Sequence, residues 1–238
     1  MARILVFGVL GLICKSALAL ATRSTTVCGR DRLIDLLTDE ARTCGVVVVA
    51  NHRSPVDDPL MWGVLPWSVL LRPRRMRWTL GAAELCFTNP VTSRLSSLAK
   101  ILPIVRGDGI FQPSIDDAIR VLDEGGVVTI FSEGRINQTQ QLLRFKWGVA
   151  RLIAEPAESP VLVPVHLHGF EQIMPLSSVH RIPLLGKDVR ITFGTPTSTE
   201  SMLAAAASAA TTVEQFRSRL TSLVQSEVER LDPRPGSE

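Results

Sequence analysis

Four consecutive valines and an alanine, Val46-Val47-Val48-Val49-Ala50, narrow the choice of fold more than any other stretch of the chain. β-Branched residues crowd a helix and suit a pleated strand. A strand with water on one face alternates apolar and polar residues. This one does not, so both of its faces are predicted to be buried. A strand covered on both sides belongs at the centre of a layered α/β sheet. The rest of the pattern agrees. Leu33, Ile34, Leu36, Leu37 and Ala41 fall at helical spacing before Gly45, and another helix is expected from near Pro55 or Pro59. Strands are expected over 101–105, 127–131, 161–165 and 189–193, and helices over 115–122 and 146–155. A final helix over 212–231 carries Phe216, Leu220, Leu223, Val224 and Val228 on one stripe. Ala204 to Ala210 reads as a surface helix or a linker. Strands and helices in this order imply an α/β fold, a mixed sheet flanked by helices. With 238 residues, 45% of them hydrophobic, the chain can bury such a core.

Charge and hydropathy bear on partners. A net charge of +3 is mild, and no basic cluster interleaved with aromatics runs along a face, so nucleic acid is not an expected partner. A mean hydropathy of +0.21 is high for a soluble domain, and together with the absence of Tyr it points to work at a membrane. Cys14, Cys28, Cys44 and Cys86 match no zinc or redox spacing and read as inert thiols. His166 and His168 share one side of a predicted strand without further ligands, so no metal is expected.

Residues 1–28 are set apart as a targeting or membrane-anchor segment, leaving 29–238 as the globular domain. Ile4 to Cys14 is unbroken and apolar, but Lys15 interrupts it before Ala17 to Ala21, which makes a transmembrane span marginal. Ala17-Leu18-Ala19 fits a signal-peptidase site. Arg3, Lys15, Arg23 and Arg30, all ahead of the first acid Asp31, fit an organellar transit peptide. All three readings stand.

Chemistry concentrates just after the valine run, in Asn51-His52-Arg53-Ser54-Pro55-Val56-Asp57-Asp58-Pro59. Loops at strand ends are where α/β sheets place their sites. A carboxylate five residues after His52, brought back by a tight turn, is placed to set the tautomer of the imidazole and stabilise it once protonated. That is a general base for a substrate hydroxyl. The same residues also read as helix-start signals, with Asp57 a mere cap. Downstream, Trp62 and Trp67 with Val69-Leu70-Leu71 precede Arg72, Arg74, Arg75 and Arg77. Trp, aliphatics and clustered Arg describe an interfacial membrane contact, or else a buried helix followed by a solvated basic turn.

Asn51-His52-x4-Asp57 resembles the H-x4-D signature of the glycerolipid acyltransferases, and further strings resemble their tafazzin branch. These are Leu60-Met61-Trp62-Gly63, Met76-Arg77-Trp78-Thr79, Cys86-Phe87-Thr88, Val105-Arg106-Gly107-Asp108-Gly109, Phe131-Ser132-Glu133-Gly134 and Leu143-Arg144-Phe145-Lys146-Trp147-Gly148, followed by Arg151-Leu152-Ile153-Ala154-Glu155. The resemblance runs from about Val47 to Phe193. It implies an acyltransferase domain whose His-Asp pair faces a membrane, and a CoA-independent transacylase needing no cofactor. Its implied substrates are phosphatidylcholine and monolysocardiolipin. Its implied place is a mitochondrial membrane, monotopic or peripheral, on the inner membrane or the intermembrane-space side of the outer one. Carried over by position, His52 is the base and Asp57 its orienting partner, while Arg106, Gly107, Glu133 and Gly134 fall on acceptor-binding motifs. Two positions depart. Ile136 stands where the lysophosphatidate branch has the Arg of F-P-E-G-T-R, and Ser132 replaces a Pro common to both branches. The rivals are an acyl-CoA-dependent lysophospholipid acyltransferase and a non-catalytic lipid-binding scaffold. Oligomeric state is left open.

Overall fold

The computed structural model describes residues 1–176, 183–208 and 210–233. The last residues of the expected domain and position 209 of the Ala-rich stretch lie outside them. In chain order the elements are α1 (Ala2–Ala21), β1 (Thr22–Cys28), α2 (Arg30–Thr38), β2 (Val46–Ala50), α3 (Asp57–Gly63), α4 (Trp67–Leu70), β3 (Trp78–Ala82), α5 (Ala83–Cys86), α6 (Pro90–Leu98) and β4 (Ile101–Ile104). There follow α7 (Pro113–Asp123), β5 (Val127–Phe131), α8 (Gly148–Ala154), β6 (Val161–His168), α9 (Phe170–Ile173), β7 (Lys187–Phe193), β8 (Thr197–Ser198), α10 (Glu200–Ser208) and α11 (Val213–Glu229).

One mixed sheet runs in the order β1-β7-β6-β2-β5-β3-β4, with β8 paired to β6. The valine strand β2 lies inside it, parallel to β5 on one side and β6 on the other, Val46 facing Val127 and Val161. All five of its residues are fully buried. Their alternation divides them between two cores. Val46, Val48 and Ala50 pack with α1 to α4 through Phe7, Leu33, Met61 and Val69. Val47 and Val49 pack with α7, α8, α10 and α11 through Ala118, Leu152, Ala206, Leu220 and Val224. Every strand and helix expected from the pattern is present. The strands β1 and β3, and the two-residue β8, were not expected. β1 is a Thr-rich edge strand parallel to β7, and β3 is a short strand containing Gly81. Neither carries a buried apolar run to announce it.

Within α1, Phe7, Gly11, Cys14, Leu18 and Ala21 turn inward at helical spacing. Ile4, Leu5, Val9, Leu12, Ile13 and Leu20 face outward. Lys15, which breaks the apolar run in the sequence, donates from Nζ to Leu65 O at 2.6 Å and lies 5.5 Å over the Trp67 ring. A neighbouring carbonyl and a π face thus satisfy the charge. The helix is long and apolar enough to cross a membrane by length and composition, yet one of its faces lies on α3.

Two features of this layer yield predictions. Gly63 meets α1 so closely that a Cβ there would stand 2.7 Å from Cys14 Cβ. Gly63→Val should destabilise by about 1–3 kcal/mol through overpacking. The variant should also raise hydrogen exchange selectively along Phe7 to Leu18. Lys100 is buried, with Nζ donating to Met76 O at 2.8 Å and also to Pro73 O. Burial, aided by Arg3 and Arg77, lowers its pKa from 10.5 to about 8. Between those values the unfolded chain binds the extra proton, so stability should rise with pH there. In Lys100→Met, thermal melts across the same range should lose that slope.

Candidate active site

β2, β5, β3, β4 and β6 all run the same way, so their carboxyl ends form one edge of the sheet. His52 leaves β2 at that edge, Glu133 leaves β5, Glu84 follows β3, Arg106 follows β4 and Glu171 follows β6. Parallel α/β sheets place ligands at such an edge because the loops there converge on a crevice.

The turn after β2 brings Asp57 back to His52. Asp57 Oδ2 lies 2.9 Å from His52 Nδ1 and also accepts from the main-chain N–H of Arg53 and, at 2.8 Å, of Ser54. The Asp57 N–H donates to Ser54 O at 3.1 Å, closing the turn at the start of α3. Asp57 is wholly buried. Burial pushes its carboxyl pKa up, while His52 and the two amides pull it back. With the carboxylate taking Nδ1–H, the lone pair of Nε2 is the free end of the imidazole. The ring stacks on Phe131, with centroids 4.6 Å apart, and is partly exposed. The imidazole thus has a fixed tautomer and access to solvent, an arrangement able to act as a base.

The other expected residues divide. Glu133 sits beside His52 but is 1% exposed, and its carboxylate is occupied by protein N–H groups. Gly134 supplies the positive φ of +71° that the turn after β5 requires. Arg106 lies three strands from β2, roughly 14 Å along the edge at ordinary strand spacing. It is half-exposed and pairs with Glu84 at 3.0 Å, and Gly107 beside it opens into space. Trp67, Arg72 and Arg74 are exposed, and Arg72 and Arg75 both pair with Glu40. Trp62 and Arg77 correct the expected membrane contact, being only 3% and 5% exposed. Trp62 fills the core under α1. Arg77 forms an ion pair with Asp58, which also accepts from Thr79 Oγ1 at 2.8 Å, and the two bonds fasten the start of α3 to β3.

Asn51 and Asn137 are structural members of the site that motif reading left without a role. The Asn51 amide exchanges two hydrogen bonds with the Leu167 main chain, at 2.9 and 2.7 Å, extending the β2–β6 ladder one step with a side chain. An amide at the end of a buried strand was the available signal. The Asp58–Arg77 fastening is testable. Arg77→Ala leaves a carboxylate stranded in the protein and should cost about 3–5 kcal/mol in urea unfolding. A membrane-contact role would leave that unfolding curve unmoved.

Comparisons place this geometry. The acyltransferase family profile matches residues 34–168. The chain is 42% identical over 195 residues to a tafazzin of Dictyostelium discoideum, covering 79% of this chain and 67% of that protein. It is 35% identical to a Drosophila melanogaster tafazzin over 71% of this chain and 45% of that one. It is also 34% identical to an N-acylphosphatidylethanolamine synthase of Arabidopsis thaliana, over 76% of this chain and 65% of that one. The chain thus spans between about half and two thirds of these relatives. Its fold matches the crystal structure of the 1-acyl-sn-glycerophosphate acyltransferase of Thermotoga maritima with a TM-score of 0.66 at 19% identity, covering 98% of this chain and 82% of that one. The family profile and these relatives agree, and the chain belongs to the acyltransferase family as a glycerolipid O-acyltransferase of the tafazzin type.

Proposed function

We propose that the protein is a CoA-independent phospholipid–lysophospholipid transacylase that remodels cardiolipin, taking an acyl chain from phosphatidylcholine and placing it on monolysocardiolipin in a mitochondrial membrane. The observation that carries this reading is the His52–Asp57 pair, 2.9 Å apart at the carboxyl edge of the sheet. Among the described residues no serine or cysteine side chain bonds to the imidazole, and the sequence has no G-x-S-x-G elbow. Direct transfer is therefore the simpler route. His52 Nε2 takes the proton of the acceptor hydroxyl, and the oxygen attacks the donor ester carbonyl. The tetrahedral intermediate expels the lysophospholipid alkoxide, which recovers the proton from the imidazolium. Asp57 steadies the positive charge between the two transfers.

Arg106 would hold a lipid phosphate through paired donors in exchange for Glu84, with the open backbone at Gly107 and the turn at Gly134 admitting the head group. Ile136 in place of an Arg favours this acceptor over lysophosphatidate. The outward face of α1, with Trp67 and Leu71, would rest in one leaflet, rimmed by Arg72 and Arg74. In this arrangement the anchor is α1, and the boundary expected at residue 28 moves to the end of that helix, because β1 within residues 1–28 pairs with β7 in the sheet of the acyltransferase domain.

Purified protein in liposomes of labelled phosphatidylcholine and monolysocardiolipin, without CoA, should form labelled cardiolipin. His52→Ala should abolish the transfer while still binding liposomes, and Asp57→Asn should slow it by about 10²–10⁴-fold. Transfer that starts only on addition of acyl-CoA would overturn the reading in favour of a CoA-dependent acyltransferase. With phosphatidylethanolamine added to the same liposomes, label on its amine would move the acceptor to the chemistry named for the plant relative.

A further inference from the structure

The main chain of His52 is held from both sides by two residues that form their own link. The His52 N–H donates to Glu133 Oε1 at 2.9 Å. Glu133 Oε2 accepts from Asn137 Nδ2 at 2.6 Å and from the Leu143 N–H at 2.9 Å. The Asn137 N–H then donates to His52 O at 2.7 Å. The path closes into a ring that runs from His52 through Glu133 and Asn137 back to His52. We propose that Glu133 and Asn137 form a positioning clamp for the base, acting on the reaction through the His52 main chain without touching the acceptor lipid.

Three considerations support this. The first is saturation. Asn137 is 4% exposed, and each of its groups is used. Nδ2 also donates to Gln141 O at 2.7 Å, Oδ1 accepts from Thr139 N–H and Oγ1 at 3.0 and 2.6 Å, and its carbonyl accepts from Arg53 Nη1 at 3.1 Å. A buried group with all its bonds made reaches a ligand only by breaking them. The second is need. His52 is the second residue past the end of β2, so no ladder holds its peptide groups, and a base displaced by about 1 Å can lose on the order of 10²-fold in rate. The clamp fixes its main chain, Asp57 fixes Nδ1 and Phe131 supports the ring face, which together set where Nε2 points. The third is chemical type. Glu133 accepts three N–H groups, so its carboxylate cannot become an amide without setting donor against donor.

That argument specifies the test, which rests on the transacylase reading only for its kinetic arm. Glu133→Gln and Asn137→Asp should each lower kcat by about 10–100-fold, with KM for the lysophospholipid changed less than about twofold. The double variant re-pairs the two side chains but still opposes the Leu143 N–H with an amide donor and Gln141 O with a carboxylate, so it should recover none of the lost kcat. A raised KM with kcat preserved would overturn the clamp in favour of lipid contact, and an unchanged kcat in both single variants would overturn it in favour of plain folding support. Hydrogen exchange at the His52 amide supplies a readout without turnover. It should be protected in the wild-type chain and exchange at least tenfold faster in Asn137→Ala. Equal exchange in the two would refute the clamp even if the enzyme were active. Absent transfer by the wild type together with a protected His52 amide would refute the proposed reaction and leave the clamp standing.

Discussion

The burial of β2 on both faces is the constraint from which the rest of the structure follows. Five residues with no exposed surface must have a layer above and a layer below, and the alternation of their side chains assigns each to one core. Parallel pairing with β5 and β6 then sends all three chains out of the sheet on one edge. His52 is the second residue after this strand. Its position is therefore set first by the buried strand and then by the bonds of its own main chain to Glu133 and Asn137.

Electrostatics finish what burial begins. A wholly buried carboxylate is costly to ionise, and Asp57 is held only because its Oδ2 takes two amide donors and the imidazole. Its placement at the first turn of α3 adds the favourable end of a helix. The neighbouring Asp58 is turned the other way, to Arg77 and Thr79, so adjacent acids do different work. One orients the His52 imidazole. The other holds the helix that carries the first.

The same economy reshapes the basic cluster between α4 and β3. Of its four arginines, Arg77 goes inward and Arg72 and Arg75 share Glu40. Glu40 offsets only one charge of the Arg72–Arg75 pair, so part of the basic charge stays available to an anionic surface. The apolar side of this region is stronger, because the outward residues of α1 continue into Trp67 and Leu71. Lys15 leaves that surface intact by folding inward onto Leu65 O and Trp67.

The pattern of apolar residues was enough to read the α/β layering, the central strand, the long C-terminal helix and the His52–Asp57 turn. Each rests on local signals: β-branched runs, helical spacing, and a carboxylate one turn from a histidine. It was not enough for β1 or β3, whose short, polar or glycine-bearing segments become strands only because a neighbour offers a ladder. Motif position placed Glu133 at the acceptor and composition placed Trp62 and Arg77 at the membrane. The folded chain buries all three, since whether a charged or aromatic side chain meets solvent depends on what packs over it from distant sequence. For the same reason the ring through His52, Glu133 and Asn137 has no local signature. Its members are separated by 81 and 4 positions and meet only because β2 and β5 lie side by side. Local chemistry thus determined which residues were able to act, and tertiary packing decided which of them face the substrate and which hold the others in place.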